Sequence, residues 1–117
     1  MLQKQYRLTK NKEFEIVASK GKAVYSPVLL IKNTGNNYQY SRFGIIVSNK
    51  VSKKASQRNL IKRRIREIIK QEFDKIEKGK DIVIIASPKI INDKGKVMPY
   101  EQLETYLLSS FKKANLL

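Results

Sequence analysis

The chain has 117 residues, and its 25 Lys and Arg outnumber its 10 Asp and Glu to give a formal net charge of +15. It contains no His and no Cys, which excludes the commonest general base, the common zinc ligands and any disulfide framework. This length suits one domain with a modest core, and no change in composition marks a boundary, so we predict a single domain over residues 1–117.

The first third of the chain predicts one short helix and then extended segments. Thr9 or Asn11 is suited to cap a helix that continues to Lys20, and Gly21 is suited to end it. Pro27 interrupts the extended sequence that follows. We predict extended segments at residues 23–25, 28–31 and 40–48, with turn residues at 34–37. These segments form either three short strands or one bent strand and its neighbour.

The rest of the chain predicts a strand between two helices. A long helix should begin near Ala55 or Ser56 and run to about Glu77. An apolar strand is predicted at residues 82–86, and a last helix should follow Pro99, which suits a first helical turn. The predicted order α-β-β-β-α-β-α indicates an α+β domain in which the long helix is the crossover between two strands.

Residues 58–66 interleave cations with branched apolar residues at helical spacing, so the charge is held on a folded helix and not on a solvated tail. One stripe of this helix is apolar and should be buried; it comprises Leu60, Ile61, Ile65, Ile68 and Ile69. The adjacent stripe is polar and mostly cationic; it comprises Asn59, Lys62, Arg63, Arg66 and Lys70. Arg58 lies at the apolar edge of the cationic stripe, whereas Arg64 lies away from it and is interpreted as part of a solvated face.

The positive charge is concentrated in the middle of the chain, because residues 42–70 contain ten cations and a single carboxylate, Glu67. Such a surface attracts polyanions, with nucleic acid the leading candidate and an anionic membrane the alternative. A membrane role is disfavoured because the apolar stripe should be buried in the core and no apolar run approaches the ~20 residues that cross a bilayer. The first residues also lack a secretory apolar segment, so we expect a cytoplasmic protein.

Carboxylates offer little support for catalysis by this chain. A metal-dependent nuclease would need Glu67, Glu72 or Asp81 to converge in a cleft. Glu72 and Asp81 instead belong to a helix end and turn that are rich in Lys and in other carboxylates, where solvated ion pairs are the simpler interpretation. We therefore expect no catalytic residue and no metal ligand on this chain.

Aromatic residues are the second requirement for reading a single strand, because splayed bases stack on Phe and Tyr rings. The candidates are Tyr6, Phe14, Tyr25 and Phe43. A core role is more common for any one Phe. Phe14 is the strongest candidate because it is close to the basic N-terminal segment.

Residues 42–50 and 53–67 closely resemble the bacterial ribonuclease P protein subunit. The likeness includes the hallmark Arg58-Asn59, followed by Lys62-Arg63 and then by Arg66-Glu67. A looser likeness covers nearly the whole chain and includes Phe14, Gly21, Ser26-Pro27, the strand at 81–86 and the last helix.

The resemblance implies a two-layer α-β-β-β-α-β-α sandwich with a left-handed crossover, of the ribosomal protein S5 domain 2-like type. In that family a catalytic RNA with bound Mg²⁺ removes the 5′ leader of precursor tRNA, and the protein binds both the RNA and the leader. The implied activity is thus that of an endonuclease whose chemistry lies in the RNA subunit. The resemblance implies no association with a membrane and no obligate protein partner. A generic RNA-binding or ribosomal protein without a processing role remains the alternative.

The resemblance also implies roles for individual residues. A basic helix motif that faces the catalytic RNA comprises Arg58, Asn59, Lys62, Arg63 and Arg66, and the basic loop before it comprises Lys50, Lys53 and Lys54. Phe14 matches an aromatic of the leader cleft between the first helix and the sheet, to which we add Tyr6 and Arg7. Ala18 stands where many members have a second aromatic and Asn49 replaces a common lysine, so we expect weaker stacking and charge at those two positions.

Overall fold

The computed structural model describes residues 2–117 and contains three helices around a four-stranded sheet. The helices are α1 (Asn11–Lys20), α2 (Ala55–Glu72) and α3 (Tyr100–Lys113). The strands are β1 (Lys22–Tyr25), β2 (Leu29–Gly35), β3 (Arg42–Ile46) and β4 (Lys80–Ala86). Single 3₁₀ turns cover Lys4–Tyr6, Phe73–Lys75 and Pro88–Ile90. The predicted α+β class and the order of the main elements are confirmed.

The strands lie in the order β1-β2-β4-β3. The β1–β2 and β2–β4 pairs are antiparallel, whereas β3 and β4 are parallel, with Phe43 opposite Ile82. A parallel pair needs a crossover connection, and α2 is that connection, as the strand-helix-strand order predicts. The left-handedness of the crossover stays a prediction.

Alternation along β4 divides the core between the two faces of the sheet. Ile82 and Ile84 pack with α2 and α3 in the main core. Val83 and Ile85 face the opposite side, where they pack with α1 in a smaller cluster. Because strand side chains alternate between faces, α1 is separated from the other two helices by the sheet.

The apolar stripe of α2 is buried as predicted at four of its five positions. Its isoleucines are fully buried; they are Ile61, Ile65, Ile68 and Ile69. The prediction was wrong for Leu60, which is half-buried at the margin of the stripe.

Several predicted boundaries differ from the structure; β3, for example, is shorter at both ends than the predicted strand at 40–48. The N-cap of α1 is Lys10, and neither Thr9 nor Asn11 caps this helix. β2 continues to Gly35, through residues predicted as a turn, because its backbone pairs with β4 as far as Lys80. α2 ends at Glu72, where a 3₁₀ turn follows, and does not reach residue 77.

The Glu13 side chain replaces the missing cap of α1. Its Oε1 accepts hydrogen bonds from the backbone N–H groups of Lys10 at 3.0 Å and Thr9 at 3.1 Å, and its Oε2 accepts from Arg42 Nη1 at 2.6 Å. These donors stabilise the charged carboxylate, and the Lys10 bond is the largest of the effects that hold the pKa of Glu13 below its ordinary value. The start of α1 is thereby tied to β3.

Arg42 also joins β3 to β4 through Asp81. Arg42 Nε donates to Asp81 Oδ1 at 2.9 Å and Nη2 donates to Oδ2 at 2.7 Å, and the Tyr38 ring covers the guanidinium at 4.6 Å. The expectation of a solvated Asp81 was wrong, because this residue is 7% exposed and has a bidentate partner 39 positions away. Glu72 does pair with neighbouring Lys75 at 3.8 Å on the surface.

Candidate nucleic-acid interface

The cationic stripe of α2 faces outward from the core. Asn59, Arg63 and Lys70 are exposed, and Lys62 and Arg66 are half-buried. An open pocket of about 470 Å³, here called the α2 pocket, is lined by Asn59, Arg63, Arg66 and Glu67. The isoleucine stripe fixes the helix against the sheet, so these donors form a preorganised surface that suits backbone phosphates.

Two other arginines of α2 donate hydrogen bonds to the protein backbone. Arg58 Nη1 donates to the Ser52 carbonyl at 2.9 Å, which directs at least part of the guanidinium toward the preceding loop. Arg64 Nη1 donates to the Met98 carbonyl at 2.6 Å. Arg64 is therefore half-buried and ties α2 to the segment before α3, whereas the sequence predicted only a solvated face.

The loop before α2 presents the three predicted lysines on a fixed backbone. Lys50, Lys53 and Lys54 are all exposed, whereas Val51 between them is 7% exposed and anchors the loop in the core. Ser52 Oγ donates to Gln57 Oε1 at 2.6 Å and accepts from the Lys54 backbone N–H at 3.1 Å. The loop cations therefore extend the charged surface beyond the first turn of α2.

Phe14 lies across β3, where a glycine makes room for it. A Cβ added at Gly44 would lie 2.7 Å from Phe14 Cζ, closer than packed carbon atoms approach. The half-buried ring packs against Leu8 and Val17 in the smaller core cluster. Phe14 therefore has core contacts while part of its ring stays exposed, and its stacking role stays a prediction.

A pocket of about 150 Å³, here called the Arg7 pocket, opens beside Phe14. It is lined by Arg7, Phe14, Gly44 and, from α2, Arg66. Arg7 Nε is buried and has no hydrogen-bond partner among residues 2–117. A buried donor without a partner is costly, so an acceptor from a bound molecule would satisfy it.

A second opening, here called the α1 cleft, lies between α1 and the sheet on the other side of Phe14. It measures about 180 Å³ and is mostly apolar; its lining includes Phe14, Ala18, Lys32, Ile46, Val83 and Ile85. Lys32 Nζ donates to the Ala18 carbonyl at 3.2 Å. Lys32, Ile46 and Ile85 were missed in the sequence, because their meeting depends on strand register.

The other aromatic candidates do not form an exposed stacking surface with Phe14. Tyr6 packs against Phe73, with ring centroids 4.6 Å apart, and lines a pocket that does not include Phe14. Phe43 is 2% exposed in the main core, so its stacking role was wrong, whereas Tyr25 is 71% exposed. Of the three residues predicted for the leader cleft, only Phe14 and Arg7 line the same pocket, and the buried Phe43 also contributes to the wall of that pocket.

The carboxylates considered for a metal-dependent nuclease do not converge. Glu67 lines the α2 pocket, Asp81 binds Arg42, and Glu72 pairs with Lys75. Within residues 2–117, no group of three or more Asp or Glu could hold a metal ion. In the same part of the chain, no helix is both long and apolar enough to cross a membrane.

Proteins of one family are similar to this chain in both sequence and fold. The family model described as Ribonuclease P matches residues 2–115. The ribonuclease P protein component of Alkaliphilus metalliredigens is 33% identical over 116 residues, which cover 99% of each chain. A solved structure of a Staphylococcus aureus RNase P protein mutant with defective mRNA degradation activity superposes with a TM-score of 0.87 at 32% identity, covering 97% of this chain and 92% of that one. The Thermotoga maritima RNase P protein gives 0.82 at 32% identity, covering 92% and 96%.

Proposed function

The chain belongs to the ribonuclease P protein family, and on that premise we propose that it binds the catalytic RNA through α2 and the 5′ leader of precursor tRNA through the α1 cleft. As a ribonuclease P protein component it is part of a tRNA-processing ribonucleoprotein. The finer assignment of two RNA-binding surfaces is the proposal.

The position of Arg66 carries this proposal. Its side chain lines both the α2 pocket and the Arg7 pocket, and Phe14 lines both the Arg7 pocket and the α1 cleft. The Arg7 pocket thus connects the cationic stripe to the aromatic cleft on the other face of the sheet. An RNA on α2 and a single strand that stacks on Phe14 would be neighbours.

The mechanism on this chain is electrostatic. The catalytic RNA and the precursor tRNA are both polyanions and repel each other as they approach. Exposed Lys and Arg side chains lower this electrostatic free energy and release counterions. Phe14 offers a stacking surface, and Arg7 Nε offers a buried donor for a phosphate or base acceptor. In this proposal Mg²⁺ and bond cleavage belong to the RNA subunit, as the resemblance to the family implies.

The test is cleavage of a precursor tRNA by the cognate RNA subunit at low Mg²⁺, with and without the protein. We expect the protein to accelerate leader removal. Arg66→Gln should weaken that effect, whereas Lys94→Gln, which removes the same charge from an exposed loop, should not. Cleavage by the purified protein without RNA would contradict the proposal.

A second measurement separates this function from the generic RNA-binding alternative. The RNA that copurifies with the protein should be the catalytic RNA. Recovery of ribosomal RNA in its place would favour the alternative.

A further inference from the structure

A polar cup lies at the end of the sheet where α3 terminates, and it shares no lining residue with the α2 pocket, the Arg7 pocket or the α1 cleft. The cup has a volume of about 320 Å³. Its lining includes Lys20, Lys22, Lys80, Asn33 and Asn115, and no carboxylate. We propose that this lysine cup binds a phosphate group.

The backbone brings the lysines together. Gly21 packs directly against β2, where an added Cβ would lie 3.2 Å from the Asn33 carbonyl oxygen. Its neighbours Lys20 and Lys22 are thereby held beside Asn33, and Lys22 is the cross-strand partner of Asn33. Lys80 alternates with Ile82 and Ile84 along β4 and so projects from the same face of the sheet.

Asn33 is the observation that separates this cup from an ordinary lysine-rich surface. It follows the buried Leu29 and Ile31 at the alternate position of β2, where an apolar side chain would continue the core. Asn33 is only 8% exposed, yet its amide makes no hydrogen bond to residues 2–117 and lines the cup. Within residues 2–117 only Arg7 Nε is a fully enclosed unpaired side-chain atom, so the Asn33 amide is open to the cup, and its NH₂ group can donate to an acceptor bound there.

The nearby end of α3 does not explain the lysines. Exposed carbonyls at a helix C-terminus attract cations, but here a local motif already occupies them. The Phe111 carbonyl accepts from the Leu116 N–H at 2.8 Å, and the Lys112 carbonyl accepts from the Asn115 N–H at 3.1 Å. Asn115 adopts a φ of 60°, as expected for the residue that closes such a motif.

A phosphate group fits these features together. Three ammonium groups without a carboxylate partner in the cup repel one another, and a dianion or phosphodiester would offset that repulsion. The phosphate belongs either to an RNA backbone, an assignment that rests on the proposed function, or to free inorganic phosphate, an assignment that does not. The two sources predict different results when RNA binding is measured.

The first test follows the Asn33 side-chain amide by NMR during titration with inorganic phosphate, against chloride at equal ionic strength. We expect a saturating shift of that signal in the wild-type protein, and at least tenfold weaker binding in Lys22→Gln. Lys94→Gln is the matched control and should behave as wild type. Absence of a saturating response in the wild-type protein would overturn the proposal.

Asn33→Leu tests whether the amide has a structural role. Because it restores apolar alternation, we expect the stability of the variant to be unchanged or raised while phosphate binding, followed in this variant through the backbone amide signals of Lys22 and Lys80, is lost. A clear loss of stability would show that Asn33 serves the fold, and would count against the proposal.

Binding of the catalytic RNA then distinguishes the sources. If an RNA phosphate occupies the cup, Lys22→Gln should lower the slope of log K against log salt by about 0.7 to 0.9. An unchanged slope together with a phosphate response would identify the cup as a site for free phosphate. Neither outcome depends on leader removal. A failure of the proposed function in the cleavage assay can therefore be distinguished from a failure of the phosphate-site proposal.

Discussion

Replacement of Asp81 by Asn should destabilise the protein far more than loss of a surface ion pair. Asp81 accepts two hydrogen bonds from Arg42 and a third from Asn36 Nδ2 at 2.9 Å. The Arg42 and Asp81 side chains are only 14% and 10% exposed, so the variant would leave a nearly buried guanidinium with Glu13 as its remaining anion. Breaking a buried pair costs about 3 to 5 kcal/mol; because Glu13 stays 2.6 Å from Arg42, we expect about 3 kcal/mol.

Urea denaturation monitored by circular dichroism would measure this change as a shift of the transition midpoint. Lys75→Met is the control, because Lys75 is 76% exposed and lies 3.8 Å from Glu72; it should cost less than about 0.5 kcal/mol. A double-mutant cycle with Arg42→Met isolates the pair itself. If Asp81→Asn cost no more than the control, the claim that this network holds α1 and β3 on β4 would be wrong.

Three further predictions concern RNA binding and pH. Arg66→Ala should lower the slope of log K against log salt concentration for catalytic-RNA binding, measured by filter binding, by about 0.7 to 0.9. Arg64→Ala should leave this slope unchanged and instead reduce the stability of the protein in urea. Phe14→Ala should reduce the preference for precursor over mature tRNA by about 1 to 3 kcal/mol in competition binding; a loss of helical circular dichroism would show that its core contacts dominate. The pKa of Glu13 is lowered, mainly by the Lys10 N–H, so its stabilisation is present above the unfolded-state pKa and is lost as pH falls through the folded-state value. The free energy of unfolding should therefore fall less steeply with decreasing pH in Glu13→Gln than in the wild-type protein.

The basic helix could be predicted from sequence because its information is local. A spacing of three and four residues places Ile61, Ile65 and Ile68 on one stripe whatever they pack against, and the structure buries them. Asp81 could not be placed in this way. Its sequence neighbours Lys78 and Lys80 favour a solvated ion pair, whereas its partner Arg42 is brought alongside it only by the parallel register of β3 and β4.

The candidate site shows the same division between local and long-range information. The cations of α2 and its loop lie where the sequence motif suggests, but the floor of the α1 cleft does not follow from any motif. Ile46 and Ile85 are opposite each other in the β3–β4 register, and Phe14 fits beside them because position 44 of β3 is a glycine. A shift of one residue in that register would turn Ile46 to the opposite face.

The net charge overstates the number of cations that can reach phosphates. Of the ten in residues 42–70, Arg42 is neutralised by Asp81 and Glu13, and Arg58 and Arg64 donate to backbone carbonyls. The side chains of the other seven donate to no described residue; they are Lys50, Lys53, Lys54, Lys62, Arg63, Arg66 and Lys70. Each phosphate contact contributes about 0.7 to 0.9 to the slope of log K against log salt concentration. The seven free cations can therefore contribute about 5 to 6, whereas all ten cations would contribute about 7 to 9. The difference corresponds to Arg42, Arg58 and Arg64, whose side chains bind other groups of the protein.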